Sequence, residues 1–215
     1  VTFVHNILRR CNGSDDQPFT LAIAGYGTGK SHLAMTLSEL LSEPTGPSAE
    51  KILANIESAD SSIGRNIRYA LKELGGPAIV VSLNGMGNYD LASEFTRQIK
   101  LQLNANNIDT QALDDLRPRF KMASNLVQYL PIDESSSLAT LCDVAGKVEI
   151  LDKLQQYDEA TYEKVYDFFE AKGIPIKALG DETVKDVLET VCREYCGEAK
   201  PFSRVVVLFD EFGRY

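Results

Sequence analysis

The sequence predicts an α/β fold: a mainly parallel sheet held between helical layers, with a large helical insertion. Three observations lead there. The apolar run Phe19-Thr20-Leu21-Ala22-Ile23 precedes a glycine-rich turn and a helical pattern. Two further apolar runs lie at 77–85 and 204–211, and long helix-patterned stretches separate them. Unbroken apolar runs of this length read as strands buried on both faces, the habit of parallel sheets.

The elements follow in order. Thr2 to Arg10 reads as a short helix, and Cys11 to Pro18 as a polar turn before the first strand, 19–23. His32 to Leu41 carries Leu33, Leu37, Leu40 and Leu41 at helical spacing. The cluster Ser42-Glu43-Pro44-Thr45-Gly46-Pro47-Ser48 is a turn, and a break near Ala59 to Ser62 predicts a small helical pair before Gly75-Gly76-Pro77. Residues 86–203 are far longer than the single helix a parallel crossover needs. Phe95, Ile99 and Leu103, then Tyr162, Val165, Tyr166 and Phe169, recur at helical spacing there, with a stop signal at Gly173-Ile174-Pro175. A last helix has Asp181 as its expected cap, an apolar stripe of Val184, Val187, Leu188, Val191 and Cys192, and an end at Gly197. The expected division is a core of 1–107 and 181–215 with a helical lobe of 108–180.

The turn between the first strand and its helix is Ala24-Gly25-Tyr26-Gly27-Thr28-Gly29-Lys30-Ser31. Gly25, Gly27 and Gly29 permit backbone angles closed to other residues, so successive N–H groups, those of Tyr26 and Thr28 included, can turn inward as an anion nest. Lys30 adds a point charge able to follow the β- and γ-phosphates of a nucleotide, and Ser31 a hydroxyl suited to Mg²⁺. The helix beginning at His32 points its positive dipole end at the same place, which puts His32 among the expected nucleotide contacts. Ala24 fills the first glycine position of G-x-x-x-x-G-K-[ST], where a small Cβ intrudes least.

The run Arg204-Val205-Val206-Val207-Leu208-Phe209-Asp210-Glu211 ends in two carboxylates. Ligands of open α/β sheets bind outside the carboxyl ends of the strands, so Asp210 is expected beside Lys30, holding Mg²⁺ opposite Ser31. Glu211 is expected to polarise water for attack on the γ-phosphate. The run Pro77-Ala78-Ile79-Val80-Val81-Ser82-Leu83-Asn84-Gly85 ends in a polar side chain, and Asn84 would restrain Glu211 if the two strands are neighbours; Asn-Gly is also an ordinary turn dipeptide.

With the loop AGYGTGKS, the strand VVVLFDE and the polar strand end at Asn84, the chain resembles the additional-strand, catalytic-glutamate branch of P-loop ATPases, which includes the AAA-like and STAND-like enzymes. The phrases GYGTGKSHL and DEFGRY are similar to those of large bacterial anti-phage ATPases of the BREX and phage-growth-limitation type. That narrower resemblance covers only 19–41, 77–85 and 204–215. It implies a three-layer P-loop NTPase sandwich, ATP and Mg²⁺ as cofactors, and work within a homo-oligomer or larger assembly. The chain stops four residues after Glu211, before the further strand, polar sensor and arginine finger of that branch, so part of a longer protein is expected.

Composition sets the bounds. The chain has 215 residues, 44% hydrophobic and 25% charged, with net charge −9. That is ordinary for a globular protein, and no run approaches the ~18 apolar residues of a membrane span. Without a signal-like leading segment, the expected location is cytoplasmic. The acidic balance argues against a DNA-wrapping surface, although Arg97, Lys100, Arg117, Arg119 and Lys121, with Phe120 among them, form one local basic region. A solvated helix face is the preferred reading of it, and nucleic-acid contact the alternative. Cys192 and Cys196, one helical turn apart, read as buried thiols on an apolar face and are given no chemistry. Against the ATPase stands a nucleotide-held signalling or scaffold switch with little turnover. A small-molecule kinase lacks an acceptor site and basic lid, and a GTPase lacks an Asn-Lys-x-Asp phrase.

Overall fold

The computed structural model describes residues 2–13, 19–23, 27–86, 89–174, 176 and 183–212. Two compact units share the chain: Val1–Gly87 with Cys192–Tyr215, and Asn88–Val191.

The first unit holds α1 (Thr2–Cys11), α2 (Lys30–Ser42), α3 (Pro47–Ala59), α4 (Ser61–Glu73), β1 (Ile79–Asn84) and β2 (Val205–Asp210). β1 and β2 pair in parallel, from Ile79 opposite Val205 to Asn84 opposite Asp210. The sheet stops there, which corrects the expectation of a mainly parallel, multi-strand three-layer sandwich: the described residues are mostly helical and form one two-stranded sheet. The third expected strand, 19–23, joins no ladder among the described residues, and Phe19, Leu21 and Ile23 are 64%, 56% and 87% exposed. An apolar run states a demand for burial but does not supply the neighbouring backbone that makes it a strand. What holds this segment is Arg10, whose guanidinium donates to the Phe19 carbonyl at 3.1 Å and the Thr20 hydroxyl at 2.8 Å.

Helix α2 lies on the two strands. Leu37, Leu40 and Leu41 are buried in one core with Leu53, Ile67, Leu74 and Val80, and Leu33, Val206 and Leu208 pack against it. Each fully buried leucine contributes about 2 kcal/mol to this layer. The helical pair forms as the sequence predicts. Pro47 opens α3, where its missing N–H costs nothing, and Asp60 caps α4 by accepting from the Ser62 and Ile63 N–H groups at 3.0 Å. Arg68 ties the pair by ion pairs to Glu50 and Glu57. Gly64 lets the helices close: a Cβ there would lie 2.2 Å from the Glu57 Cγ and 2.9 Å from its Cα.

The second unit contains α5 (Leu91–Ala105), α6 (Gln111–Asp114), α7 (Pro118–Gln128), α8 (Ile132–Cys142), α9 (Lys147–Gln155) and α10 (Glu159–Glu170). Phe120, Val127, Leu138, Ile150, Leu154, Tyr162, Val165 and Phe169 make its core. Asp90 and Asp158 cap α5 and α10. The chain then forms α11 (Val184–Tyr195), which spans the division between the units. Its expected cap, Asp181, and the stop-signal Pro175 lie outside the described residues. Thr183 and Asp186 bond reciprocally at the start of α11 as a capping box.

Most of the basic region of this unit is drawn into the fold and is not the solvated face the sequence suggests. Arg117 is 1% and Lys100 8% exposed. Arg117 donates to the Thr96 hydroxyl at 2.9 Å, Lys100 pairs with Asp114, and Arg119 grips Glu159 with two bonds of 2.6 and 2.7 Å while lying over the Phe120 and Tyr162 rings. Arg97 pairs with Glu94, and Lys121 sits 3.6 Å from Asp115. Arg97, Lys100, Arg117 and Arg119 serve the inside of the helical unit, whereas Lys121 and Asp115 are exposed.

Acids answer them. Burial works against the Asp90 carboxylate, but bonds from the Ser93 N–H and hydroxyl, with the charges of Arg117 and Arg119, hold it below its ordinary 3.8. Glu94 is held below 4.5 in the same way, burial being outweighed by Arg97 and Gln98.

Two outcomes follow. Replacing Gly64 by Ala should cost about 1–3 kcal/mol and lower the thermal midpoint, whereas Gly146→Ala, at an extended φ of 172° with open space around it, should leave it unchanged. An acid whose native pKa is depressed adds stability above its ordinary value and loses it as pH falls through the native one. Helical circular dichroism should therefore decline on acidification below pH 4.5, and the double variant Asp90→Asn, Glu94→Gln should show a shallower decline.

Candidate functional site

Glycine geometry starts the site. Gly27 and Gly29 have φ of +74° and +86°, and Gly29 is the N-cap of α2 with no side-chain cap bond. A Cβ at either would meet no described atom within 4 Å, so backbone angle alone demands glycine there. A glycine N-cap offers no side chain of its own to close this helix start, whose amide groups lie at the positive end of the helix dipole. Thr28, Ser31 and His32 are exposed and Lys30 is half-buried. Gly25 and Tyr26 lie outside the described residues.

The far end of α2 fixes its direction. Ala78, at the entrance to β1, donates its N–H to the Leu41 carbonyl at 2.8 Å. From Leu41 back to Lys30 the helix covers about 17 Å, and from Ala78 to Asn84 the strand covers about 20 Å. α2 packs on both strands, so these lengths run its Lys30 end toward the end of the sheet that carries Asn84 and Asp210.

At that edge the parallel register sets Asn84 beside Asp210. Gly85 donates to the Asp210 carbonyl at 2.9 Å, extending the ladder by one bond. The Asn84 Oδ1 accepts from the Met86 N–H at 2.9 Å, so it closes its own turn as an Asx motif. Glu211 follows with φ +52°, a left-handed backbone in a residue other than glycine. Its N–H turns back to the Asp210 Oδ1 at 3.0 Å. Phe209 and Phe212 stack edge to face at 5.0 Å around this bend.

Asn84, Asp210 and Glu211 thus stand at the carboxyl end of the sheet, and Gly27, Thr28, Gly29, Lys30, Ser31 and His32 at the amino end of α2. The Glu211 bend is not legible in the apolar run before it, although Asp210, a turn-forming residue, accepts the N–H that closes it. The supporting Gly85 bond was visible in principle in the Asn-Gly dipeptide. Ser31 and Asp210 offer hard oxygen donors of the kind Mg²⁺ takes, and no three His, Cys, Asp or Glu side chains among the described residues cluster to hold a metal alone. A magnesium ion would therefore depend on phosphate oxygens and water for most of its shell. Comparison with protein-family models, curated proteins and solved structures returns no match.

Among residues at this edge, Glu211 carries the backbone strain. Glu211→Gly should keep stability or raise it by up to about 1 kcal/mol, read as an equal or higher thermal midpoint, while Glu211→Val should lower the midpoint, because a β-branched residue resists the left-handed region.

Proposed function

We propose that the first unit binds ATP with Mg²⁺ at this edge and hydrolyses its γ-phosphate. What supports it best is the packing of the glycine-started helix that bears Lys30 and Ser31 on the strand pair that runs into Asp210 and Glu211. In this reading the N–H groups from Gly27 to Ser31 cradle the phosphates, and Thr28 and His32 flank them. Lys30 neutralises charge on the β- and γ-oxygens. Ser31 and Asp210 hold the magnesium ion, which when bound supplies Lewis-acid polarisation of the phosphate. Glu211 takes the proton of the attacking water, and Asn84, next to Asp210, positions it. Adenine is preferred over guanine because the chain has no Asn-Lys-x-Asp phrase and because of the resemblance to ATPases. The same resemblance supports a cytoplasmic homo-oligomer or larger assembly, with a part in nucleic-acid-linked anti-phage defence. No helix among the described residues is long and apolar enough to cross a membrane.

One observation favours a second reading. The left-handed Glu211 aims its N–H at Asp210, a resting arrangement suited to a switch that holds nucleotide with little turnover.

Calorimetry with Mg-ATP tests binding. Lys30→Ala should weaken it by roughly tenfold or more, and Glu211→Gln should keep it while lowering turnover by roughly a hundredfold or more. Absence of any heat with the intact chain would overturn the proposal. Turnover unchanged in Glu211→Gln would favour the switch.

A further inference from the structure

Cys192 and Cys196 stand one turn apart at the carboxyl end of α11, with the Cys196 N–H donating to the Cys192 carbonyl at 3.3 Å. Both side chains therefore lie on one face of the helix. Neither is in a disulfide; Cys192 is exposed and Cys196 half-buried, not the buried pair the sequence suggests. Burial first, then the neighbouring Cys192 with which it hydrogen-bonds, pushes the Cys196 thiol up to about 11, while the Arg204 charge acts in the opposite sense.

We propose that Cys192 and Cys196 form a two-coordinate dithiolate site for a soft monovalent cation, Cu(I) being the type. Ligand softness is the first reason, since paired thiolates select such ions over hard cations. Ligand number is the second. No third His, Cys, Asp or Glu joins the pair among the described residues, so a four-coordinate zinc site lacks its donors, whereas a digonal ion needs two. Charge is the third: two thiolates and one monovalent cation leave a single negative charge at an exposed helix end. The exchange balances without electron transfer. Each S–H bond gives up its proton to solvent, and two S–Cu bonds form.

The local fold holds one ligand and exposes the other. Cys196 bridges to Phe202, Phe202 donates to the Tyr195 carbonyl at 3.1 Å, and Gly197 donates to the Phe202 carbonyl at 2.9 Å. That rooted turn leads into β2. Cys192, open to solvent, is the point of entry.

The test titrates the reduced full chain with Cu(I), delivered as its acetonitrile complex against a chromogenic chelator. One equivalent should be captured. Cys192→Ser and Cys196→Ser should each lower affinity by roughly tenfold or more, whereas Cys11→Ala with Cys142→Ala should leave it unchanged. Circular dichroism checks that the variants fold, and Cys192, being exposed, decides the matter if Cys196→Ser does not. Equal capture by Cys192→Ser, or loss in the Cys11/Cys142 variant alone, would overturn the site.

Discussion

The register of β1 on β2 is the constraint on which the candidate site depends. Side chains alternate across a strand, so a slip of one residue would turn Val80, Val206 and Leu208 away from α2 and carry Asp210 off its place beside Asn84. The ends of the pair are fastened separately. Ser203 donates to the Pro77 carbonyl at 2.8 Å and Arg204 to the Leu74 carbonyl at 2.9 Å at the entrance, and Gly85 donates to the Asp210 carbonyl at the exit. The helix layer is fastened to the same entrance through Leu41 and Ala78. One backbone bond thus transmits the strand register to the far end of α2, where Lys30 stands.

The helical unit solves a different problem. Its charges are placed where a solvated face would waste their geometry: Arg117 fully buried against Thr96, Arg119 clasped by Glu159 between aromatic rings, Lys100 between Asp114 and the Tyr157 ring. Buried ion pairs add little net stability over apolar packing, but removing one partner leaves an uncompensated charge, so such a set penalises wrong arrangements of α5, α7 and α10. Lys100, Arg117 and Arg119, offered by composition for nucleic acid, are thereby engaged inside the unit.

How much of this the sequence revealed follows from the physics of each signal. Helices were legible because their apolar periodicity and caps are local; the pair α3 and α4 is marked by Pro47 and Asp60. The 79–84 and 205–210 runs are legible as strands because both are apolar and end in polar groups, while their pairing stays conditional in the sequence and is shown by the structure. The strand at 19–23 was misjudged because a ladder is a property of two segments, and only one was being read. The buried arginines were misjudged for the same reason. Their partners Thr96 and Glu159 are 21 and 40 residues away, beyond any local pattern.

Backbone strain separates Glu211 from other residues with unusual conformations. Asn107, Asp143 and Tyr157 have positive φ just past α5, α8 and α9, where a left-handed residue satisfies the last carbonyls of the helix. Ala199 sits in the tight turn that returns to β2. Glu211 ends a strand, has no helix to close, and uses its strained backbone to place an N–H on the neighbouring Asp210 carboxylate. A glycine or asparagine would adopt that bend at lower cost, so local stability does not account for glutamate at this position. Strain of this kind persists only where the surrounding structure holds it, here by the Phe209 and Phe212 rings and the bond to Asp210.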